Sequence, residues 1–293
     1  MSAPTSARKS TRKTTNQAPI NPPTKQRGAV WLSAAAWIIG LLFVAPVLWM
    51  LLTSFHSEAD AATSTPSFFA PLSLEGYQNF FNANPWPPLI NSMTASLLST
   101  LFVLLLAFPA AYALSIRRVE KWTDVMFFFL STKMLPIVAA ILPLYLIAQQ
   151  FNMLDNIFTL VILYTAMNLP IAIWMLQSFL AEVPVEMLEA AEVDGAGLIR
   201  TLVSVVAPVV TPGLASAGLI CFIFSWNELL LARVLTGVVS GTAPVFLTGF
   251  VTSQGLFLAQ VSAASLVVSL PVLIAGFAAQ DKLVQGLSMG AVK

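Results

Sequence analysis

Six long apolar stretches alternate with polar segments along this chain, at roughly 29–54, 89–114, 124–148, 157–179, 209–232 and 258–279. Each is near the ~20 residues needed to cross the hydrocarbon core of a bilayer, and some leave room for tilt. Backbone groups in lipid must pair within their own segment, so the pattern predicts six transmembrane helices and an all-α membrane protein. Pro46, Pro109, Pro136, Pro143, Pro170 and Pro271 fall inside the runs. They predict kinks, which are tolerated where neighbouring helices or water re-satisfy the freed carbonyls.

The polar segments add three features. Residues 1–28 are rich in Pro, Thr and Ser and carry Arg8, Lys9, Arg12, Lys13, Lys25 and Arg27. Without apolar periodicity they read as a disordered basic tail ahead of a membrane domain at 29–293. Residues 55–88 form a long loop holding "LSLEGYQNFF", which predicts a short surface helix. Residues 180–207 predict a structured connection between the fourth and fifth helices. The first apolar run is too long for the apolar region of a signal peptide. The triplet Ala59-Asp60-Ala61 resembles a cleavage site, a minor alternative to a retained anchor.

Composition agrees with the periodicity. The chain is 57% hydrophobic, 9% charged and has a mean hydropathy of +0.83. Soluble domains lie nearer ~45–50% apolar and ~25% charged, so a soluble globule of this size is excluded. The net charge of +1 says little about partners and points to no nucleic acid. The single cysteine, Cys221, rules out an intrachain disulfide and reads as a small buried hydrophobe. The single histidine, His56, leaves no His cluster for a metal and one candidate base for catalysis.

Lys and Arg set the orientation. Twelve of the 14 lie in the N-terminal tail, in the loop with Arg117, Arg118 and Lys121, at Arg200, or at Lys282 and Lys293. All of these fall on one side of a six-span arrangement. The opposite loops, 55–88, 149–156 and 233–257, contain only Arg233, and Lys133 sits inside the third run. Both termini are therefore expected in the cytoplasm of a multi-pass inner-membrane protein.

The connection 180–207 departs most from the surrounding composition. Glu182, Glu186, Glu189, Glu192 and Asp194 fall within it, with Arg200 as its one cation. Pro184, Glu182 and Glu186 suit a helix N-terminus. Met187, Leu188, Ala190 and Ala191 are good helix formers. Gly195 is a natural C-cap, and a second helical stretch is expected from Leu198 to Val206. The acids read either as a solvated loop helix or as a docking surface. In the second case small side chains let a partner backbone come close, and carboxylates pair with its Arg or Lys. A metal site is disfavoured, because the segment has no His and its Glu residues are spaced along one helix.

These residues resemble a known family. Glu189-Ala190-Ala191, Gly195, Val205, Ala207 and Pro208 stand in the spacing of the "EAA–G–I-x-LP" motif. That motif belongs to the membrane permease subunits of binding-protein-dependent ABC importers. Val205 replaces the usual Ile and Ala207 the usual Leu, and both remain apolar. "STKMLP" at 131–136, "MNLPIAIWML" at 167–176, "FSWNELLLA" at 224–232 and "LVQGLSMGAVK" at 283–293 resemble the carbohydrate branch, in particular its maltose-permease-like second subunit. "GLFLAQVSAAS" at 255–265 leans toward members handling polyols or monosaccharides. The resemblance covers about residues 30–293.

The resemblance implies a coupling helix that docks in a cleft of a separate ATPase through Glu189, Ala190, Ala191, Asp194 and Gly195. It implies a homologous second permease, an ATPase dimer that carries ATP and Mg, an extracytoplasmic solute-binding protein, a sugar or polyol substrate and surrounding membrane lipid. This chain is then a non-catalytic subunit with no cofactor of its own. The absence of G-x-x-x-x-G-K-[ST] agrees, since no P-loop is present. Gly286 and Gly290 form a G-x-x-x-G beyond the last run and do not read as a dimerisation face.

Polar groups within the runs are candidates for a solute path. Lys133 is expected near mid-membrane, facing protein or water, with Glu228 as one candidate partner. Glu228–Arg233 is another pairing. Trp226 offers an aromatic face and Asn227 an amide for a sugar; Asn168, Gln177 and Asn91 are weaker candidates. The competing role for each is interhelical packing and hydrogen bonding. The leading reading is the membrane half of an ATP-driven sugar or polyol importer. The alternative is a gradient-driven secondary transporter, for which Glu228 is the one plausible carboxylate and no internal repeat is visible. A membrane enzyme lacks a convincing acid–base or nucleophile set.

Overall fold

The computed structural model describes residues 28–63, 68–117, 119–252 and 255–291. The basic tail expected at 1–28 lies outside these residues except for Gly28. The chain divides into two units, Met1–Leu48 and Trp49–Lys293. In the first, α1 (Gly28–Thr53, which runs on into the second unit) exposes its apolar side chains from Trp31 to Val47. A helix apolar on every side has no wet face and belongs in lipid.

The second unit continues through α2 (Glu58–Ala61), α3 (Glu75–Asn82), α4 (Trp86–Ser115), α5 (Trp122–Met134), α6 (Ile137–Gln150) and α7 (Ile157–Leu180). Next come α8 (Val185–Val193), α9 (Leu198–Arg200), a π-helical stretch at Thr201–Val206, α10 (Ala207–Val209) and α11 (Thr211–Trp226). The chain then forms α12 (Leu230–Leu235), α13 (Ala243–Leu247), a 3-10 turn at Thr248–Phe250 and a two-residue antiparallel pair, β1 (Val251–Thr252) with β2 (Gly255–Leu256). It ends in α14 (Leu258–Ala291). The described residues form helices and connecting segments apart from that pair, and α3 matches the surface helix expected in "LSLEGYQNFF".

Among the described residues, four unbroken helices are long and apolar enough to cross a membrane: Trp31–Thr53, Trp86–Ser115, Ile157–Leu180 and Leu258–Gln280. Two further candidates are bent pairs, Trp122–Met134 with Ile137–Gln150 at 88°, and Leu198–Val209 with Thr211–Trp226 at 83°. Counting each pair as one span gives six. The third run is therefore not the continuous kinked helix its apolarity suggests. Leu135 and Pro136 both take extended backbone between α5 and α6; a following proline disfavours helical backbone at Leu135, and Pro136 has no N–H to continue the α5 ladder. Pro46, Pro109, Pro143, Pro170 and Pro271 instead stay within helices. The fifth run is also interrupted, because α11 stops at Trp226 and α12 starts at Leu230.

The core lies where α4 packs along α7 and α11, with α14 against α11 and α3 against α14. The contact faces are built from small side chains: Ala95, Ser96, Ser99, Ala107 and Ala111 of α4, and Ser216, Ala217 and Gly218 of α11, are buried. Lipid tails are as apolar as Leu, so burial from water does not drive these contacts; close van der Waals packing of small faces does. Gly213 shows how close the approach is, since a Cβ there would lie 2.5 Å from the Phe179 ring.

Two acids that the sequence reading passed over hold the connections. Glu58 accepts from the Ala259 and Gln260 N–H groups at 3.3 Å each, at the first turn of α14, where a negative charge meets the positive helix end. Asp155 pins the 236–241 loop. Its carboxylate accepts from Gly237 at 2.8 Å, Val239 at 3.1 Å and Ser240 at 2.8 Å, and its backbone N–H donates to Leu235. Burial works to raise the Asp155 carboxyl, but the backbone donors of Gly237, Ser240, Val239 and Val238 outweigh it and hold the group below its ordinary value.

Candidate functional site

The connection between α7 and α11 is built from local signals. Pro184 takes extended backbone as the N-cap of α8, at the helix N-terminus expected for it. At the other end Asp194 is the C-cap and Gly195 follows with φ +71°. The Gly195 N–H donates to the Glu192 carbonyl at 3.0 Å, and the Ala196 N–H donates to the Ala191 carbonyl at 2.9 Å. These are the two reverse bonds of a Schellman motif. Glycine is favoured here because left-handed backbone penalises most side chains. The turn leads through Gly197 into the second helical stretch, α9 to α10, near the boundaries expected at Leu198–Val206.

The two alanines of the motif part company. Ala191 is buried against its own chain, whereas Ala190 is exposed beside Glu186, Glu189, Glu192 and Asp194. Apolar side chains surround these acids without cover: Val185, Val193 at 88% exposure, Leu198 and Ile199 at 77%. Glu192 pairs with Arg117 at 3.0 Å, the one salt bridge among the described residues. Both side chains are well exposed, so the pair contributes about 0–1 kcal/mol. The arrangement is a rigidly capped short helix whose outer face mixes carboxylates with uncovered aliphatic groups.

A second feature lies at the 88° break. A cleft of about 480 Å³ opens between α5, α6, α7 and α12, lined by Thr132, Lys133, Pro136, Met167, Pro170 and Leu231 among others. Non-helical backbone at membrane depth persists only where protein or a water-filled cavity meets it, and the cleft meets it here. Lys133 is exposed on this surface, in the last turn of α5, where helix carbonyls favour a cation. Its ammonium lies 5.6 Å from the centroid of the Phe224 ring.

Trp226, Asn168, Glu228 and Asn227, selected from sequence as a solute path, are not among the residues lining this cleft. Trp226 is 2% exposed and its Nε1 donates to the Val268 carbonyl at 3.1 Å, joining α11 to α14. Asn168 is fully buried. Its Nδ2 donates to Ser225 Oγ at 2.9 Å, and that oxygen pairs with Ser99 Oγ at 3.0 Å, a node between α7, α11 and α4. Glu228 pairs with neither Lys133 nor Arg233. Its carboxylate accepts from the Leu231 and Ala232 N–H groups at 3.0–3.2 Å and so caps α12. Asn227 is exposed in the break, with Nδ2 donating to the Ile223 carbonyl. Asn91 ties down the 236–241 loop through Val239 and Gly241. His56 is buried beside Thr53, Asp60 and Ser262 around a cavity of about 170 Å³. Thr132 and Met167, which the sequence reading did not select, line the larger cleft.

Residues 29–288 match the family described as the binding-protein-dependent transport system inner membrane component. The chain is 34% identical over 257 residues to a probable ABC transporter permease protein of Sinorhizobium fredii, covering 87% of this chain and 92% of that one. It is 32% identical over 269 residues to the diacetylchitobiose uptake system permease protein of Streptomyces coelicolor, covering 91% and 98%. Its fold resembles a chain in the crystal structure of a bacterial ABC transporter involved in the import of the acidic polysaccharide alginate. The TM-score is 0.71 at 22% identity, over 91% of this chain and 100% of that one, a likeness of fold.

Proposed function

The chain belongs to the family of binding-protein-dependent transport system inner membrane components, and from that premise we propose that it is one membrane-spanning half of an ATP-driven importer of a sugar or sugar alcohol. The diacetylchitobiose relative supports the substrate class. Membership in a family of ABC permeases sets aside the gradient-driven alternative. The chain works with a second permease, an ATPase dimer that holds ATP and Mg, and a solute-binding protein on the outer side. It performs no chemistry itself. Both termini and the α8 connection face the cytoplasm, in keeping with the distribution of Lys and Arg.

The observation that carries the reading is the α8 helix. Its Schellman cap ends it at a defined residue, Ala191 is buried, and Ala190, Glu189 and Asp194 are exposed. ATP closes the ATPase pair, and the motion reaches α11 through α8 and the bent stretch 198–209. The bundle then alternates between outward and inward openings. ATP binding can drive that change only because it favours one state over the other.

The test is Glu189→Lys in the assembled complex. The side chain is exposed, so the membrane bundle should insert and pack as before, while ATPase co-purification or substrate-stimulated hydrolysis falls sharply. Normal assembly and transport in this variant would remove α8 from the docking role.

A further inference from the structure

Among the described residues, the lining of the cleft at the 88° break carries one cationic side chain and no carboxylate. Lys133 lies within an apolar run, where an ammonium facing hydrocarbon is strongly disfavoured. A structural lysine at such a place pairs with a carboxylate or with backbone carbonyls, and no hydrogen bond from the Lys133 ammonium to either is present among the described residues. Here the one salt bridge among the described residues is Arg117 with Glu192, and the Glu228 carboxylate is directed at the Leu231 and Ala232 N–H groups. The Phe224 ring offers a face and no acceptor. Thr132 turns its hydroxyl to the Phe129 carbonyl at 2.7 Å. Lys133 is therefore the one charged donor that this cleft presents, exposed to whatever fills it. The surrounding Leu, Ile, Pro, Ala and Met side chains offer apolar walls. Their volume of about 480 Å³ falls within the ~300–1,000 Å³ of small-molecule sites.

We propose that Lys133 contacts the transported solute directly, donating to a cluster of ligand oxygens, while the apolar walls meet the ligand's C–H faces. This rests on the transport reading above and deepens it by assigning a substrate contact to this chain. Two ligand types supply clustered acceptors: a neutral polyhydroxyl compound with adjacent hydroxyls, and its acid, whose carboxylate also forms an ion pair with the ammonium. The contact is with Lys133 rather than with Trp226, Asn168 or Glu228: the Trp226 Nε1 donates to Val268, the Asn168 Nδ2 to Ser225, and the Glu228 carboxylate caps α12.

The experiment uses the complete complex in lipid nanodiscs and measures equilibrium binding of two probes, sorbitol and gluconate, with wild type, Lys133→Arg, Lys133→Gln and Lys133→Met. Loss of a charge-assisted hydrogen bond predicts that Lys133→Met weakens binding about tenfold or more, with Lys133→Arg in between. A neutral substrate class shows as sorbitol binding that Lys133→Gln partly retains. An acid class shows as a gluconate preference that both Lys133→Gln and Lys133→Met abolish. Affinities unchanged in Lys133→Met, or neither probe bound by wild type, overturn the proposal. ATP-driven uptake by the wild-type complex is scored alongside: its absence strikes the transport reading, whereas normal uptake with an indifferent Lys133→Met strikes this inference alone.

Discussion

Gly195 is the position where a small change should separate coupling from folding. Its φ of +71° is set by the two reverse hydrogen bonds that end α8. A Cβ built there meets no atom within 4 Å, so substitution adds strain without a clash. For alanine the left-handed backbone costs about 1–2 kcal/mol, which lowers the population of the capped turn about 5- to 30-fold relative to alternatives. Valine costs more, because its branched Cβ is held more tightly. Asparagine tolerates this backbone and should restore most of the loss. The assay is solute-stimulated ATP hydrolysis by the reconstituted complex, with membrane abundance of the chain as control. The expected order is glycine, asparagine, alanine, valine, at constant abundance. Wild-type stimulation in Gly195→Val would show that the fixed end of α8 does not transmit motion. A parallel fall in abundance would show that the turn matters to folding instead.

Other outcomes follow from the loops and the core. Asp155→Ala removes acceptors from three backbone donors, but Gly237 and Val239 are exposed and water replaces part of what is lost there. Hydrogen exchange across 236–241 should therefore accelerate by the equivalent of about 1–2 kcal/mol. The Asp155 carboxyl is lowered in the folded chain, so its contribution is complete above the ordinary carboxylate value. It fades as pH falls below that value and is gone once pH passes below the folded value. Exchange in this loop should quicken only in acid, and Asp155→Asn should abolish that dependence. Trp226→Phe deletes the buried bond to Val268 and should lower thermal stability by about 1–3 kcal/mol while leaving the uptake KM unchanged. A changed KM at unchanged stability would return Trp226 to the solute path.

Local chemistry was legible in the sequence and tertiary choices were not. The apolar runs could be read because lipid forces every backbone group to pair within its segment. The end of α8 could be read because a Schellman turn is completed within six residues, Ala191 to Ala196. The break at Pro136 could not. Pro136 looks like Pro109, Pro143 and Pro170 in sequence, and whether a proline kinks or breaks a helix depends on what meets the freed backbone. Here that is a cleft assembled from α7 and α12. The polar residues of the fifth run show the same limit. Trp226 and Asn227 are neighbours, yet one points into the α14 interface and the other ends exposed, a difference of helix face that spacing alone leaves open. Asp155 was missed because its partners lie 82 to 85 residues away, where no motif connects a loop carboxylate to three backbone donors.

The central claim is that ATP hydrolysed by partner subunits, and no ion gradient, moves solute through this chain. It is tested most directly in proteoliposomes containing the purified complex and its solute-binding protein, with proton and sodium gradients collapsed by ionophores. The account predicts that uptake continues while ATP is supplied to the ATPase side and stops when ATP is withheld. Uptake that disappears with the gradients although ATP is present, or that proceeds without ATP when a gradient is restored, would contradict it.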